Sequence, residues 1–165
     1  MIRLALAIPA ALVLLITPAA AAIVAHDPAP AAATGDDIEA GAVAAAAVVD
    51  AFHAALEHGD TAAALTLLSD DVLIFEEGGA ERSKAEYTAS HLAADAAFSA
   101  AVPAVRTRRS GRSGPDLAWI SSENRTTGVY RERAIDRIGT ETMVLRLTPA
   151  GWRIVHIHWS SRAAS

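Results

Sequence analysis

After Pro103 this chain stops reading as helix and reads as strand to its end, and that switch of hydrophobic period leaves few architectures open. On the N-terminal side, Ile38, Val48, Val49, Phe52, Ala55 and Leu56 recur at helix spacing from Asp36 until Gly59 stops the run. Asp60 caps a second, short helix carrying Ala64, Leu65, Leu67 and Leu68, which Ser69-Asp70-Asp71 ends. Residues 72–75 are β-branched and aromatic and predict a strand, closed by Gly78-Gly79. Ser83 and Glu86 have capping-box spacing and open a third helix that reaches Ala101, with Tyr87, His91 and Phe98 near one face. Four strands then follow, at 104–109, 117–130, 134–148 and 152–160, the last two joined by the tight turn Pro149-Ala150-Gly151. Three N-terminal helices ahead of such a meander predict an α+β domain, with helices packed on one face of a curved antiparallel sheet.

Composition narrows the function. With 165 residues the chain has room for one ordinary domain, and 52% apolar residues against 20% charged ones allow a real core. Cysteine is absent, which excludes a disulfide framework, a thiolate metal site and a cysteine nucleophile. A net charge of −5 argues against a dedicated nucleic-acid binder. The arginines at 106, 108, 109 and 112 lack interleaved aromatics and do not read as a nucleic-acid platform. The charge is lopsided: residues 26–83 hold twelve acids and one base, while 84–165 hold seven acids and twelve bases. Such a split marks solvated surface, complementary faces of a dimer, or an anion-attracting pocket.

Residues 1–25 read as a secretory signal. Arg3 gives a basic start, 4–16 is apolar apart from Pro9, and Ala19 to Ala22 supply small residues for cleavage. The expected location is periplasmic or secreted, with no membrane attachment once the signal is removed. Residues 26–36 are rich in Pro and small residues and read as a linker, and 37–162 as the folded domain.

The element order, the stretch Ala55-Leu56-Glu57-His58-Gly59-Asp60, and Leu67-Leu68-Ser69-Asp70-Asp71 before a strand resemble the nuclear transport factor 2-like superfamily. Within it, the run from Gly151 through Trp152, His156 and His158 resembles the SnoaL-like branch, related to the calcium/calmodulin-dependent kinase association domain. The resemblance implies a cystatin-like cone whose helices and sheet enclose a pocket, and pairing of two copies through the outer face of the sheet. A homodimer is therefore expected. It also implies a pocket carboxylate five residues after Asp71, at Glu76, by comparison with ketosteroid isomerases. The same comparison places Phe52 and Met143 where those isomerases carry a tyrosine hydroxyl and a second acid. Without those donors an enolate would be poorly stabilised, so steroid isomerisation is not expected.

Strand alternation predicts which side chains meet. If residues 148–151 form a four-residue turn, Leu147 opposes Trp152, Leu145 opposes Ile154, Met143 opposes His156 and Glu141 opposes His158. Glu141, Met143, His156 and His158 then share the pocket face, and Ile157 and Trp159 point outward into a dimer interface. The candidate catalytic residues are Glu76, His91 and His158; the candidate ligand-binding residues are Tyr87, Arg125, Glu141, Met143 and His156. A carboxylate and a histidine in one cavity can act as base and acid. Imidazoles with a carboxylate also suit zinc, copper or nickel, but the spacing matches no metal motif, and neither a metal nor another cofactor is predicted. The expected function is binding of a small polar or anionic organic molecule. The alternatives are a cofactor-independent acid–base lyase or isomerase and a homo-oligomeric assembly module.

Overall fold

The computed structural model describes residues 35–164. The expected signal peptide and most of the expected linker lie outside these residues. Within them the order is β1 (Gly35–Ile38), a 3-10 turn (Ala40–Ala42), α1 (Val43–Glu57), α2 (Thr61–Leu67), β2 (Leu68–Glu76), β3 (Gly79–Glu81), α3 (Lys84–Ser90), α4 (Leu92–Ala101), β4 (Ala104–Ser113), β5 (Leu117–Tyr130), β6 (Arg133–Thr148) and β7 (Gly151–Ala163). All seven strands form one sheet in the order β1-β4-β5-β6-β7-β2-β3. The α+β cone is as the sequence predicts, and the structure corrects its details.

The sheet is mixed, because β1 runs parallel to β4 and β2 runs parallel to β7. The start of the domain is a strand and not a helix. Gly35 and Asp36, read as linker and helix start, lie in β1, held by Arg106–Asp36 and Arg112–Asp37 ion pairs to β4. The third helix is two. α3 ends at Ser90, and His91 takes φ −113°, off the helical value, where its ring bonds the Glu81 carboxylate; α4 begins at Leu92.

Capping follows the sequence closely. The Asp60 carboxylate accepts from the Ala63 N–H at 2.9 Å, and the Ser83 hydroxyl accepts from the Glu86 N–H at 3.1 Å. The Glu86 carboxylate in turn accepts from the Arg82 N–H, one residue before the cap, and so ties the incoming chain to the first turn of α3. The core lies between α1 and the concave sheet face. Ala45, Val49, Phe52 and Leu56, one helical stripe, bury against Ile120, Met143, Leu145, Ile154 and Ile157. Each large side chain there contributes about 1.5–3 kcal/mol by leaving water.

The lopsided charge is largely satisfied inside the chain. Asp50 binds Arg106 and Arg109, Asp70 binds Lys84, Asp71 binds Arg146, and Glu77 binds Arg137. Acids from the first half of the sequence thus clamp bases of the second half: Asp70 ties β2 to α3, and the other pairs tie α1 and the β2 region to the meander.

The register of β6 and β7 decides which residues enter the cone. Leu147 opposes Trp152 and Leu145 opposes Ile154, as strand alternation predicts, but Val144 opposes His156. Val155 is an extra residue, a bulge, and it reverses every later side chain relative to simple alternation. Thr142 therefore opposes His158, and Glu141 opposes Trp159. The histidines leave the concave face, while Ile157 enters the core and Trp159 enters the cone.

Candidate active site in the cone

A cavity of about 420 Å³ opens beside the core, between α1, α4 and the far ends of β2, β5, β6 and β7. Its polar lining includes His53 from α1, Glu76 at the end of β2, Asp95 from α4, Glu141 and Arg137 from β6, and the ring of Trp159 from β7. Leu56, Phe98 and Ile135 supply apolar wall. The helical layer places the first of these groups by simple periodicity. His53 follows Phe52, so it sits at the edge of the buried stripe of α1, with its ring 41% exposed.

One wall is an ion pair. The His53 Nε2–H donates to Glu141 at 2.9 Å, and the Trp159 Nε1–H donates to the same carboxylate at 2.7 Å. Glu141 itself is buried, with only 3% of its surface exposed. Burial alone would push the Glu141 carboxyl up. The His53 charge and hydrogen bond, the Trp159 N–H and the nearby Arg109 outweigh burial and hold it below the usual glutamate value. Burial likewise opposes charge on His53, but Glu141, with help from Glu57, raises its pKa above the ordinary imidazole value. Trp159 is fixed in turn by stacking on Phe52, with ring centroids 6.5 Å apart.

The second wall carries two carboxylates. Burial raises the Glu76 pKa, and the neighbouring charges of Asp95, Glu77 and Glu81 raise it further, against a lowering by His91. Asp95 is raised by burial, although the Tyr87 hydroxyl donates to it at 2.8 Å and lowers it in part. Burial pushes the Tyr87 phenol well up, so it stays a neutral donor. Glu76 and Asp95 are therefore easier to protonate than surface acids. The cavity thus presents a proton acceptor of raised affinity on one side and a carboxylate-held imidazole on the other.

Of the residues predicted from sequence, Glu76 and Glu141 reach the cavity directly. Tyr87 is fully buried and reaches it through Asp95. Met143 lies in the closed core under α1 and does not line the cavity. His91 is exposed and bonds Glu81, outside the lining. Arg125 lies on the convex face in a two-pronged pair with Asp136 at 2.9 Å. His156 and His158 also face the convex side. His156 donates from Nδ1 to the Leu73 carbonyl at 2.8 Å, and both rings meet Phe75 edge-on. The expected shared face of Glu141, Met143, His156 and His158 is therefore corrected by the Val155 bulge.

Sequence reasoning missed His53, Asp95 and Trp159. A signal for Trp159 was present. In Trp152, Ile154, Ile157 and Trp159 the apolar spacing runs two, three, two, and the three marks a bulge. Asp95 stands eight residues after Tyr87, on the same helical face if the helix is taken as continuous. Among the described residues, no group of three or more His, Asp or Glu side chains is placed to hold a metal ion.

Known structures agree with this architecture. A ketosteroid isomerase-like protein from Shewanella frigidimarina is 36% identical, with a TM-score of 0.68 over 71% of this chain and 94% of that one. The S. rosetta CaMKII hub matches at 20% identity and TM-score 0.61, over 73% and 95% of the two chains. An NTF2-like protein with a cystatin-like fold from Novosphingobium aromaticivorans matches at 17% and 0.60, over 74% and 82%. These last two likenesses speak for the fold alone. No curated protein matches the sequence. The SnoaL-like domain model matches residues 45–164, most of the chain and all of the cone except β1 and the start of α1. The chain belongs to the SnoaL-like domain family, within the nuclear transport factor 2-like superfamily.

Proposed function

We propose that this domain binds a small polar organic molecule in the cone. The observation that carries the reading is one cavity of about 420 Å³, a size typical of small-molecule sites, into which a few polar groups converge from opposite walls. Carboxylates outnumber His53 and Arg137 in the lining, and Arg137 already donates to Ser161 at 2.9 Å and pairs with Glu77. That balance favours a neutral polar compound over an anion. Phe52 and Met143, without hydroxyl or acid, turn the reading away from steroid isomerisation. The test is a thermal-denaturation screen of small ketones, alcohols, amines and carboxylates, run on the wild type and on Thr126→Trp, which fills the cavity. Ligand at about a hundred times Kd stabilises the native state by about 2.7 kcal/mol, a shift of several degrees. Compounds that stabilise the wild type and not Thr126→Trp support the reading. Equal shifts in both, or none at all, contradict it.

A second reading, homodimerisation, is favoured by a specific surface. The convex face exposes Leu117, Trp119 and Phe75, with His156 and His158 among them. Ile157 and Trp159, once expected in that interface, belong to the inner face. Sedimentation at micromolar concentration should show a dimer that Phe75→Asp dissociates; a wild-type monomer contradicts it. The signal-like residues 1–25 support export, and detection of the chain in the periplasmic fraction would test this.

A further inference from the structure

The β5–β6 hairpin outruns the sheet that carries it. β4 pairs with β5 only as far as Ala104 opposite Thr126, and β7 pairs with β6 only as far as Arg137 opposite Ala163. One further bond, from the Ala164 N–H to the Asp136 carbonyl at 3.0 Å, reaches the root. Beyond it, residues 127–135 continue as a ribbon of two strands with no sheet neighbour on either edge among the described residues. A lone two-stranded ribbon is marginal in water, so this arm depends on what its faces touch. Its tip is strained as well. Tyr130 opposes Arg133, and the two turn residues between them, Arg131 and Glu132, have φ of 46° and 65°. Such a turn suits Asn-Gly, and Arg and Glu hold it only under constraint.

The concave side of the arm meets the cone. Alternation outward from Ile120 and Met143 puts Thr126, Gly128 and Tyr130 of β5, and Ile135 and Arg137 of β6, on that side. Thr126, Ile135 and Arg137 line the cavity. One rung past Ile135, the Tyr130 ring meets Phe98 edge-on, centroids 5.2 Å apart, and Phe98 is itself cavity wall on α4. The Arg131 guanidinium lies 5.1 Å from the centre of the Tyr130 ring, so the strained turn is tied to this contact. Gly128 lets the arm close on the end of α4, since a Cβ there would come 3.0 Å from the Val102 Cγ1. On the convex side the Arg125–Asp136 pair stiffens the root. Resting on the small-molecule reading above, we propose that residues 127–135 are a flap over the cone, latched by Tyr130 on Phe98, which lifts from α4 to admit the ligand and closes behind it. Release lets the Arg131–Glu132 turn relax, so its strain offsets part of the latch and keeps both positions accessible. Tyr130 is a positioning residue, acting on the cavity through Phe98.

The test reads amide exchange and probe kinetics together. The probe is 4-nitrophenol in mildly acidic buffer, where it is a small neutral polar compound that quenches tryptophan fluorescence. In the free wild type, exchange over 127–135 should be roughly tenfold faster than over 139–145, and saturating probe should slow it. Tyr130→Ala should speed exchange over the arm and raise both the association and the dissociation rate of the probe, each roughly tenfold, with 139–145 unchanged. Glu132→Gly relieves the turn without touching the latch and should do the opposite, slowing both arm exchange and probe association. A purely structural Tyr130 would change the dissociation rate alone. Should Tyr130→Ala fail to fold, Glu132→Gly decides the matter by the sign of its effect. If the folded variants bind and release the probe at wild-type rates, the flap is overturned while the pocket reading stands. If the wild type binds no probe at millimolar concentration, both are overturned.

Discussion

The His53–Glu141 pair makes a prediction about stability that needs no ligand. Replacing His53 with Leu removes the cation and leaves the buried carboxylate with the Trp159 N–H as its close partner. At 2.9 Å two unit charges attract by about 6 kcal/mol at an effective dielectric of about 20, and by about 1.4 kcal/mol in water. The His53 ring is 41% exposed, so screening pulls the value toward the lower end, to about 2 kcal/mol. The pH window follows from the signs. His53 is raised from 6.5, so its contribution is complete below that pH and is lost as pH climbs through the folded value. Glu141 is lowered from 4.5, so its contribution is complete above that pH and is lost as pH falls through the folded value. The charge–charge coupling is therefore full between these two values. Above the His53 titration only the hydrogen bond of the neutral ring remains. The assay is guanidinium denaturation at several pH values of wild type, His53→Leu, Glu141→Gln and the double variant, read as a double-mutant cycle. A coupling below about 0.5 kcal/mol, or one that does not change between mildly acidic and alkaline pH, refutes the reasoning.

Other expectations follow from the packing. Met143→Ala, at a fully buried site beneath α1, should cost about 2–5 kcal/mol, measured by denaturant unfolding. Asp50→Ala strands the buried Arg109 guanidinium, whose Nε already lacks a partner, and should cost about 3 kcal/mol; Arg109→Met removes the charge with its burial penalty and should be far milder. Asp60→Ala removes the cap of α2 and should lower stability by about 1 kcal/mol, measured as a fall in the denaturation midpoint. Gly111→Ala puts a Cβ 2.6 Å from the Ile120 Cδ1 and 3.0 Å from the Ile38 Cδ1, so it should cost about 1–3 kcal/mol and loosen β1, seen as faster amide exchange over 35–38.

Periodicity carried the architecture because it reports burial directly. The stripe Val49, Phe52 and Leu56 and the alternation along β5 and β6 both survive in the fold. Local chemistry carried the caps at Asp60 and Ser83. What alternation does not hold is register past an irregularity. One inserted residue, Val155, exchanged His156 and His158 for Ile157 and Trp159 on the inner face, and with them the make-up of the site. The break of the third helix at His91 rests on a tertiary bond to Glu81, ten residues earlier, which no local pattern encodes. β1 is short and acidic and has no strand signature of its own; it is ordered by the arginines of β4. His53 escaped notice because it borders the apolar stripe, and its partner Glu141 is 88 residues away.

The central claim is that the cone, and not the convex face, receives the small molecule. Three tryptophans distribute well for a direct test. The Trp159 indole N–H bonds Glu141 at the cavity wall, Trp119 stands 41% exposed on the convex face, and Trp152 sits beside the final hairpin turn. Titrating 4-nitrophenol into ¹⁵N-labelled protein and following the three indole N–H resonances reads all three places at once. The account predicts that the Trp159 signal shifts in a saturable way while Trp119 stays in place. Movement of Trp119 with Trp159 unchanged, or no movement of any indole at millimolar probe, would contradict it.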